Sequence, residues 1–245
     1  VVFPDGTHRA GPDDLENLCK GIMDLSPPDS SGIVDTMGCA TPEAIKYLGR
    51  WVKAMTGLSI EIHTHNDFGM GVATELAAVT AGADVVHTGG NGLGERTGNA
   101  ALEEIIMALH ILYGYETSYR LDKLVELGDL LSREANVPIP RNKPVLGSAN
   151  FTRESGIGVN LVVEQPLVMF GTHPQLTGRT GDIVLGKKSG KASIVYKLAE
   201  QGLGDASDEE ITEILAAVKA RGIEKRDILS DEEFRLIAAR AFLER

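Results

Sequence analysis

Residues 59–87 read SIEIHTHNDFGMGVATELAAVTAGADVVH: a short alternating run, a longer stretch with apolar positions at helical spacing, and then a second β-branched run. Period two across Ser59-Ile60-Glu61-Ile62-His63 predicts a strand, and the stretch from about Gly69 to Ala81 predicts a helix. The same unit recurs on either side. Val1-Val2-Phe3 leads into a helix from about Pro12 to Leu25, and Gly32-Ile33-Val34-Asp35-Thr36 into one from about Pro42 to Met55. Ala83-Asp84-Val85-Val86-His87 leads into one from about Asn99 to Leu112. Strand centres fall roughly 25 to 30 residues apart, the pitch of repeated βα units that build a parallel sheet.

Four such units occupy about 115 residues, whereas an eight-unit barrel needs about 250. The expected fold is therefore α/β, either half of a (β/α)8 TIM barrel or a four-stranded open sheet. Tyr115 to Arg133 reads as amphipathic helix, and Asn136 to Asn150 as a Pro/Gly-rich connector. Gly156 to Gly190 shows no clear period. Ser207-Asp208-Glu209-Glu210 and Ser230-Asp231-Glu232-Glu233 read as capped helix starts, because a Ser cap and acids in the first turn suit the helix dipole. The expected division is residues 1–119 as the barrel portion and 120–245 as a mainly helical α+β accessory region.

The 24 Lys and Arg stand against 35 Asp and Glu in 245 residues, a net charge of −11. Such a balance excludes a nucleic-acid backbone as the main partner, since binding one needs clustered cations. No apolar run approaches the ~18 residues of a membrane-spanning helix. Two cysteines, Cys19 and Cys39, with no CxxC leave no disulfide framework and fit a cytoplasmic setting. Val1-Val2-Phe3-Pro4-Asp5 shows no basic segment ahead of an apolar one, so no signal peptide is expected.

Polar residues gather just past the predicted strands: Asp5, then Asp35 and Thr36, then His63, His65, Asn66 and Asp67, then Asn91, Glu95, Arg96 and Asn99. That carboxyl edge is where barrels and open α/β sheets bind ligands. Alternation puts His63 and His65 on one face and Ile60 and Ile62 on the other, toward the covering helices. Two imidazoles at this spacing either chelate one divalent metal or hydrogen-bond within the fold, and a mixed N/O set suits Zn, Mn, Co or Fe.

Gly90-Asn91-Gly92-Leu93-Gly94-Glu95-Arg96-Thr97-Gly98-Asn99 is glycine-rich but no dinucleotide fingerprint, because the last glycine of GxGxxG falls at Thr97. Glu95 and Arg96 suggest a buried pair that shapes the loop; Asn99 suggests an oxygen ligand or a helix cap. Gly181 to Lys188 resembles a phosphate loop but has Lys188 where Ser or Thr should hold Mg²⁺, which excludes nucleotide hydrolysis. Lys187, Lys188 and Lys191 either meet an anionic substrate tail or form a solvated face. His87 reads as a core residue or one lying behind the ligands.

His63-Thr64-His65-Asn66-Asp67 followed by Gly92-Leu93-Gly94-Glu95-Arg96-Thr97-Gly98-Asn99 resembles the HxHND and GxGERxGN motifs of the 2-isopropylmalate synthase and homocitrate synthase family. That family belongs to the pyruvate carboxyltransferase-like TIM-barrel superfamily. Asp35-Thr36-Met37-Gly38 is similar to its DTxG, and Gly186-Lys187-Lys188-Ser189-Gly190 to its GKxSG. The resemblance implies an acyltransferase of amino-acid biosynthesis that condenses acetyl-CoA with a 2-oxo acid on a divalent metal, Mn, Zn, Mg or Co. It implies His63, His65 and Asn99 as the metal residues and Thr36, Asn66, Asp67 and Gly94 around the substrate. Asp5, Glu95, Arg96 and His173 are the expected catalytic residues, with Glu95 and Arg96 ordering the loop. A homodimer is expected by analogy.

Three departures accompany the resemblance. The family's Asp-Arg-Glu first strand does not precede Val1, which would place Val1 at about the fifth strand. Ser155-Gly156-Ile157-Gly158 stands where the family reads SGIH, leaving His173 as a substitute. Asp5 matches the expected acid after the fifth strand only approximately. Two rival readings are a carbon–carbon lyase or aldolase on the same scaffold, and a non-catalytic partial barrel that needs a partner chain.

Overall fold

The computed structural model describes Val2–Phe3 and residues 11–243. It divides the chain into two compact units. The first comprises Val1–Arg120, Glu126–Ile139 and Pro144–Leu146; the second comprises Leu121–Val125, Pro140–Lys143 and Gly147–Arg245.

The first unit is built on a four-stranded parallel sheet in chain order: β1 (Val2–Phe3), β2 (Ser30–Asp35), β3 (Ser59–Thr64) and β4 (Val85–His87). Helices α1 (Pro12–Leu25), α2 (Pro42–Thr56), α3 (Gly71–Thr80) and α4 (Leu102–Ile111) follow the strands in turn. Local chemistry sets their limits. Thr41 caps α2 by accepting the Ala44 amide at 3.2 Å, Pro42 fills the first turn, and Gly57 ends the helix in a left-handed conformation (φ +68°). Helix α4 begins three residues later than its apolar period predicts, with Ala101 as its N-cap, so Asn99 is not a cap.

Register pairs Gly32, Glu61 and Val85 across the sheet, and one level on it pairs Val34, His63 and His87. On the opposite face Ile33, Ile60 and Ile62 are buried beneath the helices together with Ile45, Val52 and Ala78. The helices thus cover one face, as the alternation predicts. On the other face Val34, Glu61 and His63 are half-buried, while Val85 and His87 are exposed. The core expectation for His87 is corrected: its side chain is 44% exposed and lies 3.1 Å from Glu61 Oε2.

In the second unit β5 (Thr152–Arg153) and β6 (Asp182–Ile183) pair in parallel. Its helices are α6 (Val159–Glu164), α7 (Lys191–Glu200), α8 (Asp208–Lys225) and α9 (Asp231–Leu243). The last three pack Ile194, Leu198, Ile214, Val218 and Phe234 into one core. Ser207 and Ser230 cap α8 and α9, accepting the amides of Glu210 and Glu233, each at 3.2 Å, while those glutamates accept the Ser amides in return. The helix expected over Tyr115 to Arg133 is shorter and later: a 3-10 turn at Leu121–Lys123 runs into Leu124–Ala135, here α5. No helix among the described residues is long and apolar enough to cross a membrane.

Candidate functional site

The carboxyl ends of β2, β3 and β4 bring most of the motif residues together. Asp35, 3% exposed at the end of β2, accepts the amides of Cys39 (3.1 Å) and Ala40 (3.0 Å) and so folds the turn that carries Thr36. From β3, the His65 amide donates to the Asp35 carbonyl at 3.3 Å and the Asn66 amide to the Gly98 carbonyl at 2.9 Å. The Asn66 side chain accepts the Gly71 amide at 2.9 Å and secures the start of α3.

Arg96 ties the three strand ends into one rim. Its Nε and Nη2 donate to Asp67 Oδ1 and Oδ2 at 2.9 and 3.0 Å, and Nη2 also donates to the Thr36 carbonyl. Hydrogen bonds from this guanidinium, with its charge, hold the Asp67 carboxyl below the usual carboxylate range. The buried Glu95–Arg96 pair expected from sequence is corrected. Glu95 is 82% exposed and stands 3.7 Å from Arg96, so Asp67 is the residue that holds the arginine.

His63 and His65 lie edge to face with ring centroids 5.1 Å apart. Asn99, whose backbone bridges to His65, directs Nδ2 to within 3.2 Å of His63 Nε2 and donates to the Thr64 carbonyl at 3.0 Å. Gly94 is what lets Asn99 sit there: a Cβ at that position would collide with Asn99 Oδ1. Burial pushes the His63 imidazole below its usual range, and the His65 and His87 rings add to the effect. His65 Nδ1 is buried with no hydrogen-bond partner.

An orphaned imidazole nitrogen beside a second imidazole and an amide fits a divalent cation in kind. Among the described residues no group of three or more His, Cys, Asp or Glu is clustered for a metal, so these donors form a partial set. Asp5 lies outside the described residues.

Other expected residues lie in the second unit. His173 precedes a 3-10 turn, Pro174–Thr177, and its Nδ1 accepts the Gln175 amide at 3.4 Å, a capping contact. Gly158, which stands where the SGIH pattern has its histidine, has a left-handed backbone (φ +76°). In the Gly186–Gly190 loop the Lys188 amide donates to Glu154 at 2.9 Å, and Lys191, the first residue of α7, pairs with Asp208 at 2.7 Å.

A parallel βα array with imidazoles, a carboxylate–guanidinium bracket and a glycine-rich loop at its carboxyl edge defines an α/β protein with its ligand site at the strand ends. The chain belongs to the HMGL-like family, whose family model matches residues 1–131. Homocitrate synthase AksA of Methanothermobacter thermautotrophicus is 39% identical over 206 residues, covering 84% of this chain and 52% of that protein. 2-Isopropylmalate synthase of Methanocaldococcus jannaschii is 39% identical over 213 residues, 86% of this chain and 41% of that one. (R)-Citramalate synthase CimA of the same organism is 38% identical over 190 residues, 78% of this chain and 38% of that one. The chain spans about half the length, or less, of these curated relatives.

Proposed function

We propose that this chain supplies the C-terminal half of a (β/α)8 barrel, with its accessory region, to an acyltransferase that condenses acetyl-CoA with a 2-oxo acid. The observation that carries the reading is the convergence of His63, His65 and Asn99 at one sheet edge, rimmed by the Arg96–Asp67–Thr36 bracket. It is supported by relatives named as three synthases whose names differ in product. Parallel sheets are almost always covered on both faces. The open, half-polar face of β2–β4 therefore supports a barrel interior closed by further strands.

In this reading His63 and His65, with Asn99 beside them, hold the divalent metal; when bound it supplies Lewis-acid polarisation of the 2-oxo carbonyl. Thr36 hydrogen-bonds the substrate carboxylate on a turn that Asp35 and Arg96 hold rigid. Asn66, Asp67 and Gly94 shape the pocket wall, and Glu95 lies on the exposed lip of the loop. Asp5 is the carboxylate assigned to proton transfer: removal of a methyl proton from acetyl-CoA makes that carbon the nucleophile toward the carbonyl carbon. Hydrolysis of the thioester then releases the CoA thiol and a carboxylate. A homodimer and a cytoplasmic setting complete the reading, the latter supported by a sequence with two cysteines and no CxxC.

One observation favours a second reading. Gly158, left-handed where the family pattern carries a histidine, removes a side chain from the expected acid–base set, and this favours a carbon–carbon lyase. Thiol release from acetyl-CoA, followed in the whole protein against a panel of 2-oxo acids, separates the two. Release with one acceptor at a rate well above the acceptor-free background is expected; no release with any acceptor assigns the lyase.

A further inference from the structure

Helix α3 carries a carboxylic acid where packing against a sheet calls for an apolar residue. Its buried positions are Gly71, Thr74, Glu75, Leu76 and Ala78, and Glu75 is 0% exposed. Glu75 Oε1 accepts the Thr64 amide at 3.2 Å and lies 3.2 Å from Thr64 Oγ1. Oε2 is buried with no hydrogen-bond partner. Burial pushes this carboxyl up to about 8, against the two Thr64 contacts that pull it down. A buried acid with one oxygen unsatisfied costs stability, and an apolar side chain of similar volume is commonly the more stable filling. Stability therefore gives no reason for an acid here.

Its neighbour gives one. Thr64 is the residue between His63 and His65 and is held at every polar atom: Glu75 takes its amide, Asn99 donates to its carbonyl at 3.0 Å, and its hydroxyl, 3.2 Å from each, is shared between the Gly71 carbonyl and Glu75 Oε1. Along a strand, the peptide units on either side of one residue set the direction of the side chains flanking it. The two imidazoles thus take their mutual aim from how Thr64 is fixed.

We propose that Glu75 is a positioning residue that, through the amide and hydroxyl of Thr64, holds the His63 and His65 imidazoles in the orientation a divalent cation needs. Groups that orient a metal-binding side chain from behind are typically worth about 10–100-fold in affinity. The inference rests on the reading of His63 and His65 as metal donors.

The test compares Glu75→Leu and Glu75→Gln in the 245-residue chain. Co²⁺ titration is followed by calorimetry and visible absorption, and the imidazole ¹⁵N signals are recorded without metal. Gln keeps the oxygen that Thr64 uses; Leu does not. Expected are roughly tenfold weaker Co²⁺ binding and displaced His63 and His65 signals in Glu75→Leu, with both restored in Glu75→Gln. Wild-type affinity and unmoved imidazole signals in Glu75→Leu overturn the proposal, as does a Gln variant as weak as Leu. Should Glu75→Leu not fold, Glu75→Met fills the same space with a more adaptable chain and is read the same way. If the wild type takes up no Co²⁺, the metal reading fails, and the metal-free imidazole signals still decide the role of Glu75.

Discussion

Arg96 is the residue on which the rim depends, because one guanidinium joins the loops after β2, β3 and β4. A lysine at this position keeps the charge and loses the fork. Arg96→Lys is expected to raise the Asp67 carboxyl back toward its ordinary value, seen as a shifted midpoint in a ¹³C carboxyl titration. The sign follows from the direction of the shift. A carboxyl held low when folded adds stability above its unfolded value, and that stability is lost as pH falls through the folded one. Acid unfolding of the variant should therefore begin at a higher pH than in the wild type; an unchanged Asp67 midpoint would show that the bracket carries no electrostatic weight.

At this scale the sequence showed which residues matter better than it showed their partners. His63 and His65 lie side by side as their spacing predicts, and Asn99 stands beside them as the resemblance implies. Arg96 was paired with its chain neighbour Glu95, because adjacency is visible in a string of letters, whereas Asp67 lies 29 positions away and becomes a neighbour only when β3 and the β4 loop align. Glu75 had no sequence signal at all: a glutamate within a helical stretch ordinarily faces solvent, whereas here it lies among the buried positions of α3.

Among elements, those with strong local grammar were the most legible. Helix α1 runs Pro12–Leu25 and β3 begins at Ser59, as their periods predict. The starts of α8 and α9 were readable because Ser followed by acids is a reciprocal cap, which the structure forms twice. Ser207→Ala should cost about 1 kcal/mol of stability in denaturant unfolding, with the first turn of α8 losing amide protection; an effect near zero would mean the acidic first turn suffices without the cap. The stretch from Gly156 to Gly190 was opaque for a physical reason. Its pieces are a six-residue helix, two 3-10 turns and a two-residue strand, each too short to express a period.

For the molecule as a whole, the order β1-β2-β3-β4 with helices on one face agrees with repeated βα units and with the HMGL-like family. Pitch alone could not separate an open sheet from part of a barrel, since both repeat at the same spacing. Burial adds a physical argument: Ile33, Ile60 and Ile62 are sealed beneath helices, while the face bearing Glu61, His63 and His87 stays accessible and polar. A sheet face of that composition suits a functional interior better than a packed core.

The proposed metal on this face depends on His63 and His65. Elemental analysis of the protein after metal loading and desalting, wild type against His63→Ala combined with His65→Ala, tests it most directly. A retained divalent metal in the wild type and its loss in the double variant are expected; equal metal content in the two proteins would overturn the assignment of His63 and His65.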